Sequence, residues 1–194
     1  MDKLIFATNN QHKVEEVKVV LNNRFTVISL REAGIHVDIP EPHETLEENA
    51  SEKSFTIYQL TGKDCFSEDT GLEVDALNGA PGVRSARYAG DEQSFDANVK
   101  KLLLNMEGTS NRRARFRTVI SLILSGNETQ FEGVCEGQIA GEPVGTQGFG
   151  YDPVFVPEGS SRTFAQMNTV EKSTFSHRKK AMDKLISFLH QHQL

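Results

Sequence analysis

This sequence is short of cysteine: Cys65 and Cys135 are the only two among 194 residues, and neither has the spacing of a zinc site. With no other disulfide candidates, the two isolated thiols fit a reducing cytosol. Also missing is any stretch near the roughly 20 apolar residues that a membrane span requires. The short apolar run within Met1 to Thr8 has no extended hydrophobic stretch behind it, so it reads as a first strand and not as a signal peptide. There is no excess of positive charge either. A formal net charge of -6 and a pI near 5.5 argue against DNA or RNA as a partner, while leaving room for a local basic site for a small phosphate ligand. Repeats and low-complexity segments are absent. The expectation is a soluble cytoplasmic protein with no membrane or nucleic-acid partner.

What is present is an ordinary globular composition, 37% hydrophobic and 25% charged, in a chain long enough for one well-packed domain over 1–194 with room for two lobes. "KLIFAT" is a continuous apolar strand candidate, followed by a helical pattern that places Val14, Val17, Val20 and Leu21 on one face. "RFTVISL" reads as a second strand, which gives an α/β opening. Residues 38–52 carry two prolines and six carboxylates, hence a loop. Thr45 with Glu48 then forms a T-x-x-E start for a helix from Leu46 to Leu60. "DCFSED" and "LEVDAL" read as two strands about a Thr70-Gly71 turn. "SFDANVKKLLLNM" reads as a helix packing Phe95, Val99, Leu102 and Leu103. "ARFRTVISLIL" and "ETQFEGVCEGQIA" are the strongest strand candidates, joined by a hairpin turn at "SGNE". "YDPVFV" is a further short strand. A closing amphipathic helix carries Met182, Leu185, Ile186 and Leu189.

Four stretches can carry chemistry. In "TNNQHK", Thr8 to Lys13, a strand end runs into a helix start, where backbone N–H groups favour an anion and Lys13 adds charge; Thr8 and Asn10 could bond phosphate oxygens. The plainer reading is an asparagine cap with Lys13 solvated, and the G-x-x-x-x-G-K spacing of a P-loop is absent. "FSEDTG" sets Glu68 and Asp69 side by side; alone, Asp69-Thr70-Gly71 reads as common turn chemistry. In "GFGYDPVF", Gly148 and Gly150 permit close backbone approach and Phe149 offers a face for base stacking, or else its aromatics fall into the core. "EKSTFSHRKK" gathers Lys172, His177, Arg178, Lys179 and Lys180, either as a solvated helix face or as donors converging on an acceptor-rich ligand.

The order and content of these stretches resemble the inosine triphosphate pyrophosphatase family. Thr8, Asn10 and Lys13 match its T-G-N-x-x-K element, and Glu68-Asp69-Thr70-Gly71-Leu72 matches its [ED]-D-[ST]-G-L element. "GAPGVRSARYAG", "GFGYDPVF" and "EKSTFSHR" are similar to the elements that follow, so the resemblance runs from residue 4 to about residue 185. Two positions depart from the pattern. Asn9 stands where glycine is usual, and since asparagine tolerates φ > 0 the loop is expected to persist. Gln147 replaces a common glycine without removing a catalytic group.

The resemblance implies an elongated, mixed, twisted β-sheet flanked by helices in two lobes with a central cleft, a homodimer and a Mg²⁺ requirement. It implies hydrolysis of noncanonical purine nucleoside triphosphates (ITP, dITP, XTP) to the monophosphate and pyrophosphate. Asp69, Lys13 and Glu68 would be catalytic, with Glu41, Glu68 and Asp69 as metal ligands and Asp69 as the metal-linked general base. Adjacent carboxylates point to opposite sides of a strand end, so Glu68 would need a twist or bulge to join Asp69 at the metal. Thr8, Asn9, Asn10, Gln11, His12, Lys13 and Thr70 would lie along the phosphates. Phe149 would stack on the purine beside Gly150, Tyr151-Asp152 would close the pocket with Lys172, and His177 and Arg178 would donate to the six-position oxygen. Adenine shows an amino group there and would leave those donors unmatched. The alternatives are a related pyrophosphatase for modified pyrimidine or methylated nucleotides, and a catalytically silent nucleotide-binding module.

Overall fold

The computed structural model describes residues 3–21 and 26–192. Within them run β1 (Leu4–Phe6), α1 (Gln11–Leu21), β2 (Val27–Ser29), α2 (Leu46–Thr61), β3 (Cys65–Val74), β4 (Pro81–Gly82), α3 (Phe95–Asn105), β5 (Arg113–Leu124), β6 (Asn127–Ile139), β7 (Phe155–Pro157), α4 (Thr169–Ser173) and α5 (His177–Gln191). The strands form a mixed sheet in the order β2-β1-β3-β5-β6-β7, with β4 paired to β3. β1 is parallel to both β2 and β3, whereas β4 on β3 and β7 on β6 are antiparallel. Among the described residues, no helix is long and apolar enough to cross a membrane.

The chain divides into two compact units: residues 1–69, 118–133 and 178–194, and residues 70–117 and 134–177. In the first unit, alternation along the strands builds two cores. Phe6 and Phe66, stacked with ring centroids 4.5 Å apart, join Ile120 and Leu122 beneath Val14 and Val17 of α1 and Met182, Leu185 and Leu189 of α5. Ile5, Cys65 and Ile123 face the other way, onto Ile57 of α2. α2 starts as its sequence dictates: the Thr45 hydroxyl accepts from Glu48 N and donates to Glu48 Oε2. It ends at Gly62, whose φ of 63° is the left-handed turn that glycine adopts most easily. The β5–β6 hairpin turns at Ser125 and Gly126, both at positive φ (48° and 82°), the geometry that matches the twist of the paired strands. Arg24 and Phe25, at the start of the expected second strand, lie outside the described residues.

The second unit has its own core, in which Leu72, Val74, Val99, Leu102, Phe116, Phe155 and Phe164 meet. Here the structure corrects the expected strand break. Thr70 and Gly71 are not a turn but the middle of the continuous β3. Gly71 serves close approach: a Cβ there would sit 2.6 Å from the Gly82 carbonyl oxygen, so glycine is what lets β4 lie against β3. Asp75–Leu77, expected in a strand, forms a 3-10 turn. The expected strand at "YDPVFV" is shorter, because Tyr151–Val154 is a hydrogen-bonded turn and pairing begins at Phe155. Phe95 is not packed in the core; it opens α3 and stays 41% exposed.

Candidate active site

The Glu68–Asp69 pair resolves through strand alternation. Ser67 and Cys65 both donate to backbone carbonyls of α2, at Ala50 and Ser54, so odd positions of β3 face that helix. Asp69 follows this register, and its Oδ1 lies 2.9 Å from Lys53 Nζ of α2. The same ammonium reaches Glu41 Oε1 at 2.5 Å. Even positions face α1 and α5. Glu68, fully buried, takes Arg178 Nε at 2.8 and 3.0 Å and Arg178 Nη2 at 2.7 Å. Lys13 Nζ lies 3.3 Å from Glu68 Oε1, and Arg178 Nη1 reaches on to Glu16. One strand therefore serves two charge clusters, one on each face.

The electrostatics of the neighbours differ. Burial pushes the Glu68 carboxyl up, but Arg178 and then Lys13 outweigh it and hold its pKa at about 2. Burial likewise opposes charge on Arg178, and Glu68 and Glu16 raise it above its ordinary value regardless. At Asp69, burial lifts the pKa further than Lys53 and Lys13 pull it down, and Glu41 adds to the rise. Lys53 is held charged: burial acts against it, and Asp69 and Glu41 prevail.

Glu41 and Asp69, converging on one ammonium, form a two-carboxylate acceptor set. No cluster of three or more His, Cys, Asp or Glu suited to a metal occurs among the described residues. Two converging carboxylates suit Mg²⁺, which takes one or two carboxylates and completes its shell with water and phosphate oxygens. The Glu68 oxygens are instead taken by Arg178 and Lys13 on the opposite face of β3.

Around Thr8–Lys13 the local bonds are those of a helix start. Asn10 N donates to Thr8 Oγ1 at 3.1 Å, and Lys13 N donates to Asn10 Oδ1 at 3.2 Å. Asn9 is not among the residues at positive φ. Its side chain instead donates to the Val37 carbonyl at 2.9 Å, so asparagine in place of glycine adds a tether and no strain. Gln11 and His12 are exposed on the first turn of α1.

In the second unit, Asp152 organises the glycine-bracketed turn. Its Oδ2 accepts from Phe149 N at 2.9 Å and from Lys172 Nζ at 2.7 Å. Gly148 and Gly150 sit at φ 74° and 62°, and a Cβ on Gly148 would run into the Asp152 carboxylate. The buried Lys172 ammonium lies 5.1 Å from the Phe149 ring centroid and 5.2 Å from that of Phe164. Tyr151 is a core residue whose hydroxyl donates to Ser85 O at 2.8 Å. His177 stacks on Phe116, with centroids 4.7 Å apart and planes 15° from parallel.

The structure thus gathers Lys13, Glu41, Glu68, Asp69 and Arg178 in the first unit and Phe149, Asp152, Lys172 and His177 in the second. Sequence reasoning passed over Lys53 and Glu16. For Lys53 a signal existed: it falls in the buried stripe Leu46, Asn49, Ala50, Lys53, Ser54 and Ile57 of α2, where a lysine needs buried partners.

The Ham1 family model matches residues 4–188. A protein from Porphyromonas gingivalis named dITP/XTP pyrophosphatase is 49% identical, over 97% of this chain and 98% of its own length. One of the same name from Christiangramia forsetii is 48% identical, over 96% and 98%. The solved Staphylococcus aureus Ham1 protein superposes with a TM-score of 0.88 at 39% identity, covering 98% of this chain and 100% of that one. Sequence and fold agree from end to end, and the chain belongs to the Ham1 family.

Proposed function

We propose that this chain hydrolyses noncanonical purine nucleoside triphosphates, ITP, dITP and XTP, to the monophosphate and pyrophosphate. The observation that carries the reading is the pair of clusters at Glu68–Asp69: Lys53 holds Asp69 and Glu41 on one face of β3, Glu68 holds Lys13 of α1 on the other, and the charge of Lys13 also acts on Asp69. Cations and carboxylates set side by side suit a reaction at phosphorus, where the enzyme's main task is to place charge. The relatives named dITP/XTP pyrophosphatase support the substrate class.

Asp69 orients the attacking water and accepts its proton as the oxygen bonds to the α-phosphorus. The α–β phosphoanhydride bond breaks, and the departing pyrophosphate gathers negative charge. Lys13, on the first turn of α1, offsets that charge. Glu41 and Asp69 would hold Mg²⁺, which would supply neutralisation of phosphate charge. Glu68 and Arg178 we assign to support: the Glu16–Arg178–Glu68 chain fixes Lys13. The purine falls to the second unit, where Phe149 stacks on it, Asp152 and Lys172 hold the Phe149 turn, and His177 donates to the six-position oxygen.

The test is pyrophosphate release from ITP, dITP, XTP, ATP, dTTP and UTP, with and without Mg²⁺. Release from the deaminated purines at rates far above the others supports the proposal. Preference for dTTP or UTP assigns the chain to pyrimidine nucleotides instead, and binding without release marks a silent module.

A further inference from the structure

Beside the Phe149 turn lies a pocket of about 310 Å³, bordered by Phe95, Val99, Lys100, Pro143, Phe149 and Pro153. A turn with open space beside it has fewer packing contacts to fix an aromatic ring than a turn seated on the core. The Phe149 backbone is pinned on both sides, its N–H donating to the Asp152 carboxylate and its carbonyl accepting from Asp152 N at 3.2 Å, while Gly148 and Gly150 at positive φ shape the turn. Its ring meets the ring of Phe95 across the pocket, with centroids 6.1 Å apart and planes tilted by 49°.

Phe95 is a large apolar side chain, 41% exposed, that opens a helix whose Val99 and Leu102 are buried. Its platform is firm. Ser94 caps the helix start, and buried Asn98 of the same helix donates to Ala86 O at 2.9 Å and accepts from Ala89 N at 2.6 Å. A fixed helix end thus presents an exposed phenyl ring to the Phe149 ring, which the Lys172 ammonium also approaches.

We infer that Phe95 is a positioning residue for nucleotide binding, acting through the Phe149 ring that stacks on the base. This rests on the assignment of Phe149 given under the proposed function. An aromatic pair of this kind sharpens binding by a factor of about three to ten. The effect belongs in KM and not in kcat, because Phe95 lies on the base side and bears no charge that changes during phosphoryl transfer.

Two readouts on the intact chain test it: initial rates with ITP, and calorimetric binding of inosine monophosphate, for wild type, F95A and F95Y. F95A is expected to raise KM for ITP and weaken monophosphate binding, each about three- to tenfold, with kcat within about twofold and an unchanged melting temperature. F95Y, which keeps the ring, should restore both. Unchanged binding in F95A overturns the inference, as does a parallel fall in kcat and melting temperature, which would mark a general structural role. A wild type that binds inosine monophosphate more tightly than F95A yet releases no pyrophosphate would sink the proposed function while leaving this inference standing. A KM for ITP that is equal in wild type and F95A overturns the inference while leaving the proposed function standing.

Discussion

At the scale of single residues, two adjacent carboxylates behave differently because they face different neighbours. Asp69→Asn keeps the size and the bond to Lys53 but removes the proton acceptor. Turnover should fall by a factor of about 100 or more, with nucleotide binding largely kept, as pyrophosphate release and calorimetry would show; near-normal turnover would take Asp69 out of the mechanism. For Glu68 the expectation concerns folding. Its pKa is lowered from an ordinary 4.5 to about 2 in the folded chain, so it contributes stability that is fully present above the unfolded value. That stability is lost as pH falls through the window from 4.5 toward 2. Melting temperature against pH should therefore drop steeply across this window in wild type and less steeply in Glu68→Gln, provided each is compared with its own neutral-pH value. Parallel curves would mean that Glu68 is not held as described. Arg178 tests the same cluster from the other side. Arg178→Ala strands a buried carboxylate, a loss of about 3–5 kcal/mol, and should depress ITP and ATP turnover alike. A selective loss on ITP would return Arg178 to the base.

At the scale of elements, Gly71→Ala should destabilise the chain by about 1–3 kcal/mol, because the new methyl group meets the Gly82 backbone and neither strand yields freely; thermal unfolding measures it, and an unchanged midpoint would mean that β4 is not held against β3 at this point. The same glycine shows where sequence reading stops. Asp69-Thr70-Gly71 has the composition of a turn, and what makes it a strand is a tertiary neighbour more than ten residues further along the chain. The α2 cap, the β5–β6 hairpin and the apolar stripes of α1 and α5 were legible, because caps, two-residue turns and periodicity are local. "SHR" looked like one donor cluster, yet successive helix residues point about 100° apart. At the start of α5, His177 accordingly stacks on Phe116 while Arg178 turns to Glu68. Lys53 was hidden for a similar reason: its partners Glu41 and Asp69 stand 12 and 16 positions away.

At the scale of the whole molecule, β3, β5 and β6 each give residues to both compact units, and the chemistry divides with them. The Lys53–Asp69–Glu41 and Lys13–Glu68 pairs gather in the first unit; an aromatic ring with a buried Asp152–Lys172 pair gathers in the second. Family membership was readable from the order of the motifs along the chain, and the match over residues 4–188 agrees with that reading. The most direct measurement of the central claim is the initial rate of pyrophosphate release from ITP and from ATP at equal concentration with Mg²⁺, in wild type and Asp69→Asn. The account predicts pyrophosphate as the first phosphorus product, ITP turned over at least about 100 times faster than ATP, and near-complete loss in Asp69→Asn. Inorganic phosphate as the first product, or equal rates on the two nucleotides, would contradict it.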